Sequence, residues 1–200
     1  MPKIFTGEDR DIIRRSLLEN GRKAIEKDSY KNISVADIAA QTGIAKGTFY
    51  NFFSSKEEFF YEIMLIIRDE NRREIEELME CPDRERVYSF FYKRYTEVRT
   101  VYDYFTRDEL NIIFRRLPHK QTEADEDSVR LAKKLISVCT DSSAVRAEVV
   151  INLMNIAAAA SADRVQLLSE HYAETVSVLA RAITDYIFSG NGEMKNEHHN

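Results

Sequence analysis

Apolar residues recur at helical spacing along most of this chain. Ile13, Leu17 and Ala24 share one face of the segment 7–27, and Val35, Ile38 and Ala39 share one face of 34–42. Near the other end, Val176, Leu179, Ala180, Ile183 and Ile187 form an i, i+3, i+4, i+7, i+11 stripe. The run VVINLMNIAAAA (149–160) is apolar nearly all round, broken only by Asn152 and Asn155, as expected of a helix buried on more than one side. The pattern predicts helices over 7–27, 34–42, 45–52, 55–80, 83–100, 101–117, 122–140, 143–168 and 170–188. Between Thr48 and Ser189 there is no glycine, and only Pro82 and Pro118 interrupt. A β protein would need far more turn residues, so the expected class is all-α.

Helix starts can be placed from caps. Thr6-x-x-Asp9, Ser34-x-x-Asp37 and Ser55-x-x-Glu58 fit the capping-box pattern, in which a hydroxyl and a carboxylate satisfy free amides of the first turn. Gly43 follows the second helix as a C-terminal turn glycine should. Three short helices therefore fit within 1–54, the last two joined by a tight turn. That is a helix-turn-helix layout, whose last helix enters the DNA major groove. The expected organisation is a helix-turn-helix domain at 1–54, a helical domain at 55–189, and a polar, disordered tail at 190–200.

The stretch GIAKGTFYNFFSSK (43–56) carries the candidate chemistry. On a helical wheel over 45–52, Lys46, Gly47, Tyr50 and Asn51 share one face, with Thr48 at its flank. Ala45, Phe49 and Phe52 take the opposite face, and Phe53 lies at a border. Lys46 can neutralise a phosphate, the hydroxyls of Tyr50 and Thr48 can donate to phosphate oxygens, and Asn51 can read an adenine edge or touch a phosphate. Gly47 costs about 0.5–1 kcal/mol in a helix interior relative to alanine. Close approach to a DNA backbone would explain it; close packing of two helices would explain it equally. Lys56, in the first turn of the next helix, makes sense if a phosphate also sits at that helix start.

Composition changes this picture little. The net charge of −5 argues against a protein that coats nucleic acid generally, yet residues 1–55 carry nine Lys/Arg against seven Asp/Glu. Two cysteines, Cys81 and Cys139, make no disulfide framework, and no Cys/His cluster suggests a metal. His198 and His199 lack a third ligand at suitable spacing. No apolar run is long enough for a membrane span, and the N-terminus has no signal-peptide core. The expected compartment is the cytoplasm, and no membrane partner is expected. A helical enzyme fits poorly: Glu-x-x-His, G-x-S-x-G, phosphate-loop and HExxH motifs are absent. Neither cofactor nor catalytic residue is expected.

Ser34 to Phe60 reads SVADIAAQTGIAKGTFYNFFSSKEEFF. It resembles the N-terminal signature TVxxIAxxxGVSKGTLYxHFxSKEELL of TetR-type transcriptional repressors. The resemblance covers roughly residues 13–60, and its KGTFYxxF-x-SKEE core is specific. It implies a homodimer with three-helix DNA-binding units, a palindromic double-stranded operator, and a helical domain whose small-molecule effector weakens operator binding. Lys46, Gly47, Thr48, Tyr50 and Lys56 stand at motif positions that face DNA in the family. Ser34 stands at the hydroxyl position starting the second helix, and Asn51 at a variable, base-reading one. Three residues depart from the pattern: Ala45 for serine, Phe52 for histidine, and Ser29 for a glycine that would ease its loop. Phe52 is inward on the wheel, whereas the family's histidine can approach DNA.

Eight aromatics fall between Tyr88 and Phe105. Core packing and an aromatic-lined pocket both fit. The pocket reading takes Tyr88, Phe91, Tyr92, Tyr95, Tyr104 and Phe105 with Asn152 and Asn155, and an apolar or aromatic effector; the two asparagines fit equally as polar specificity devices at an interface. Arg94, Arg99 and Arg107 could meet an anionic ligand. The resemblance implies that the last two long helices form a four-helix dimer interface, through Ala157, Ala160, Val176, Leu179, Ala180, Ile183 and Ile187. An intrachain bundle explains the same stripe. Control by a partner protein without a small ligand is the alternative mode of regulation.

Overall fold

The computed structural model describes residues 6–162 and 169–189; the tail at 190–200 and the segment 163–168, expected to end a helix, lie outside the described residues. All described regular structure is helical. The helices are α1 (Gly7–Ile25), α2 (Val35–Gln41), α3 (Lys46–Phe49), α4 (Lys56–Glu80), α5 (Arg84–Thr96), α6 (Val101–Tyr104), α7 (Arg107–Arg116), α8 (Pro118–Cys139), α9 (Ala147–Ala162) and α10 (Tyr172–Phe188), with a 3-10 turn at Ser169–His171.

The expected helix over 101–117 is two helices, α6 and α7. Thr106 and Glu109 close a capping box at the break, each satisfying the other's backbone amide. Pro118 opens α8 instead of ending a helix before it, since a proline's missing N–H is harmless in the first turn. The capping box at Thr6 and Asp9 forms as expected. At Ser34 the hydroxyl caps Ala36, not Asp37. At Ser55 the hydroxyl accepts from the Glu58 amide at 3.0 Å, while the Glu58 carboxylate turns back to the Ser54 amide at 2.6 Å.

Two compact units divide the chain: residues 1–68 with 104–118, and residues 69–103 with 119–200. The core of the first is aromatic. Phe49, Phe53, Phe59, Phe60 and Phe105 are all essentially inaccessible to solvent. Their rings meet edge-on or tilted, with Phe59 within 5.1 Å of Phe49, Phe53 and Phe60. Gly21 of α1 lies against this cluster: a Cβ there would stand 2.3 Å from Phe59 Cζ and 2.7 Å from Ile63 Cδ1. A buried carboxylate closes the same unit. Glu109 accepts from the Ser29 hydroxyl at 2.5 Å and from the Thr106 amide at 2.9 Å. Burial pushes its pKa up, but the bonds from Ser29, Thr106 and the Lys31 backbone outweigh that and hold it below its ordinary value. Ser29, placed where a glycine would ease the loop, needs no strained backbone: no described non-glycine residue has positive φ.

In the second unit, α5, α9 and α10 pack together around Val87, Phe91, Val150, Ala180, Ile183 and Ile187. The α10 stripe points into this core. Val176 and Ala180 are buried with Ile183 and Ile187, Leu179 is half-buried, and Ala157 of α9 joins them. The intrachain bundle is therefore what this stripe builds.

Candidate nucleic-acid interface

The α2–α3 turn is set by one glycine. Gly43 takes φ +74°, and the amides of Gly43 and Ile44 bond the carbonyls of Ala40 and Ala39 at 3.0 Å each. This is a Schellman ending, and the positive φ is why glycine stands there. Beyond it, Ala45 is extended (φ −74°, ψ 150°) and α3 begins at Lys46.

α3 has regular helical form only over Lys46–Phe49, with bonded turns continuing to Phe53. Phe49 is buried, and Tyr50, set edge-on against it at 5.3 Å, is 47% exposed. Lys46, Gly47 and Asn51 are exposed beside Tyr50, and Thr48 is half-buried. The predicted division into Lys46/Gly47/Tyr50/Asn51 outside and Phe49 inside is what the structure shows. Two of the wheel's inward positions differ. Ala45 is exposed, because it precedes the helix and a wheel does not apply to it. Phe52 is half-buried, with the Arg10 guanidinium 5.0 Å from its ring centroid.

Gly47 has open space around it: a Cβ there would meet nothing within 4 Å. Close packing within the chain does not explain this glycine. Ser34 is half-buried, and its Oγ accepts from the Ala36 amide at 3.1 Å. Lys56 is more enclosed than a solvated lysine. Its ammonium donates to the Tyr30 carbonyl at 2.5 Å and lies 4.3 Å from the Tyr30 ring centroid. Burial lowers its pKa, against the pull of Glu57 and Glu109. Tyr30 in turn donates to Glu57 at 3.1 Å, and burial, then Glu57, pushes its phenol well up.

Arg10 is a residue that sequence reasoning missed. It donates to the Asn51 carbonyl at 3.2 Å, tying α1 to the turn after α3. Arg14 plays a similar part, ion-paired with Glu62 and 5.1 Å from the Phe53 ring centroid. No local pattern flags either, since each partner lies some forty residues away or more.

The other candidate residues are scattered. Tyr88 bonds Ser177 at 2.9 Å and stacks on Tyr92, and the Arg181 guanidinium is 5.6 Å from the Tyr88 ring centroid. Phe91 and Tyr95 are buried, and Asn152 and Asn155 are exposed. Tyr104 and Phe105 fall in the first unit, where Phe105 packs on Phe60 at 6.1 Å. The side chain of Ala160 lies outside the described residues. A groove of about 570 Å³ follows α8, lined by Lys133, Thr140, Asp141, Arg146 and Glu148 among others, with no aromatic residue. Among the described residues no helix is long and apolar enough to cross a membrane, and no cluster of acidic, His and Cys side chains could hold a metal.

The sequence profile of the family described as "Bacterial regulatory proteins, tetR family" matches residues 17–63. The HTH-type transcriptional repressor DhaR of Mycobacterium sp. (strain GP1) is 31% identical over 85 residues, which are 41% of this chain and 43% of that protein. An uncharacterised HTH-type transcriptional regulator, YhgD of Bacillus subtilis (strain 168), is 33% identical over 67 residues, 34% of this chain and 35% of that protein. The chain thus spans less than half the length of either curated relative. A solved structure of a putative TetR-family transcriptional regulator from Vibrio parahaemolyticus aligns over 83% of this chain and 97% of its own, at 19% identity and a TM-score of 0.42. The matched residues 17–63 contain α2, the Gly43 turn and α3, so this part of the chain is similar to the helix-turn-helix region of TetR-family regulators.

Proposed function

We propose that the chain acts as a homodimeric repressor in the cytoplasm. It binds a palindromic operator through residues 45–52 and is released by a small apolar or aromatic molecule held in the helical part at 55–189. The observation that carries the DNA-docking face is Gly47, a helix-weakening residue with nothing of its own chain to accommodate. A side chain there would stand off the phosphate backbone. Around it, Lys46, Thr48 and Tyr50 bind phosphates, and Asn51 reads a base edge. Ser34 and Lys56 flank them. Lys56 spends one of its three N–H donors on Tyr30, which leaves two for a phosphate.

Two such units would enter successive major grooves about 34–36 Å apart. The stripe on α10 is committed to the chain's own core, so the second copy would dock on what α9 and α10 leave outward, where Ile156 is 57% and Val178 63% exposed. DhaR is named as a repressor, and the same sign of control is proposed here. The effector's neighbours would be Tyr88, Phe91, Tyr92 and Tyr95 with Asn152 and Asn155. It shifts the protein only as far as it favours one conformer over the other. The dense packing of Phe91 and Tyr95 favours a second reading, control by a partner protein with no small ligand.

Selection of bound duplexes from random DNA, repeated with candidate compounds, tests this. A palindrome released by one compound is the expected result. A site without two-fold symmetry would sink the dimeric docking. A palindrome that only a protein releases would favour the second reading.

A further inference from the structure

Arg94 on α5 carries a buried side-chain donor that no described residue satisfies, unlike several arginines of the second unit whose partners are plain. Arg84 pairs with Asp185, Arg130 with Asp127, and Arg72 with Glu76 and Asp127. Arg181 lies over the Tyr88 ring. Arg94 has no carboxylate partner among the described residues, and its Nη1 is shut off from solvent with no hydrogen-bond acceptor. A buried donor left unmade costs about 1–3 kcal/mol, and more when it is charged. Native proteins rarely carry such a group without a reason.

Its surroundings narrow the chemistry. Arg94 also donates to the Tyr95 phenol. That phenol's own proton is spent on the Met154 carbonyl of α9 at 3.1 Å, and the Tyr95 carbonyl accepts from Tyr172 at 2.6 Å. Tyr95 is thus held by two other elements and has no donor left for a ligand, which burial reinforces by keeping the phenol protonated, its pKa pushed up to about 12. Arg94 Nη1 supplies an open, positively charged donor beside it. Tyr92 and Tyr102, partly buried on the same stretch of chain, pack against the apolar core of this unit.

We infer that Arg94 binds the effector, and that the effector is an organic carboxylate with an aromatic or aliphatic body, its carboxylate accepting from Nη1. This rests on the proposed control by a small molecule. It adds the ligand's charge and the residue that reads it.

Two matched pairs of probes test it: 2-naphthoate against 2-naphthamide, and octanoate against octanamide, each at millimolar concentration in a thermal-unfolding assay of the full chain. At least one carboxylate is expected to raise the melting temperature by several degrees, its amide to do little, and Arg94→Met to abolish the rise. Arg94→Lys keeps part of it. Equal shifts from acid and amide, or no shift from either acid, would overturn the inference, as would a rise that Arg94→Met leaves intact. Operator release, read in parallel by gel shift, separates the two proposals. A carboxylate that binds through Arg94 without releasing DNA would refute ligand control and leave the site. Release by a neutral compound with Arg94 irrelevant would do the reverse.

Discussion

A Cβ added to Gly21 would stand 2.3 Å from a buried Phe59 ring, and one added to Gly47 would meet nothing within 4 Å. Both glycines are helical and both belong to the first compact unit. The inner one is explained by the chain itself, since α1 could not approach α4 with a methyl in the way. The outer one has no such neighbour within the chain. The contrast separates residues that build the unit from residues that present it, and each class answers to a different measurement.

The largest expected effect is on the inner side. Phe59→Ala removes the ring at the centre of the aromatic cluster and should cost about 3–5 kcal/mol in chemical denaturation. Gly21→Ala should cost about 1–3 kcal/mol by overpacking. In the Phe59→Ala background the same change should cost less, because the clashing ring is gone. Strict additivity of the two would break the assignment of Gly21.

Gly47→Ala should move two readouts in opposite directions. The fold should gain up to ~1 kcal/mol from helix propensity, while operator affinity falls roughly tenfold, equivalent to about 1.4 kcal/mol. Loss of stability with unchanged affinity would place Gly47 with Gly21. The two lysines sharpen the same line. Lys46→Ala should lower the slope of log affinity against log salt by about one, with an unchanged melting point. Lys56→Ala should lower both, since it also strips the Tyr30 carbonyl of its partner. If Lys56→Ala leaves the melting point alone, its contact with Tyr30 contributes nothing to the fold.

The smallest effect is a pH dependence. The folded pKa of Glu109 is below its unfolded one, so near pH 4 the native state binds fewer protons than the unfolded chain. Its contribution to stability is present above the unfolded value and is lost as pH falls through the folded one. Glu109→Gln should therefore melt at a temperature that falls less steeply than wild type as pH drops from 6 to 3. Parallel curves would remove Glu109 from the account.

The legible features were those held by neighbours in sequence. Thr6 with Asp9 and the Gly43 turn involve bonds spanning five residues or fewer, and the wheel's separation of Phe49 from Tyr50 needs only helical twist. The Thr106 and Glu109 box is equally local and its T-x-x-E pattern was there to be read; it was masked by the apolar run on either side. What stayed hidden depends on partners far along the chain. Lys56 folds onto a carbonyl 26 residues away, Arg10 reaches one 41 away, and Ser29 meets a carboxylate 80 away. The α10 stripe was ambiguous for a related reason. An apolar face records that it is covered and carries no record of which chain covers it.

The return of residues 104–118 to the first unit has a consequence for synthesis. The whole exposed face of α3 has left the ribosome once residue 60 is out, yet Phe105, Glu109 and Ile113, all buried in the completed chain, are still to be translated. At about 5–20 residues per second the wait is roughly 3–10 s. During that interval the aromatic cluster under α3 is roofless, and a nascent chain is the form of this protein most exposed to aggregation. A truncation ending before α7 would hold it there permanently, so a fragment carrying the helix-turn-helix has to be cut after residue 118, not after residue 54.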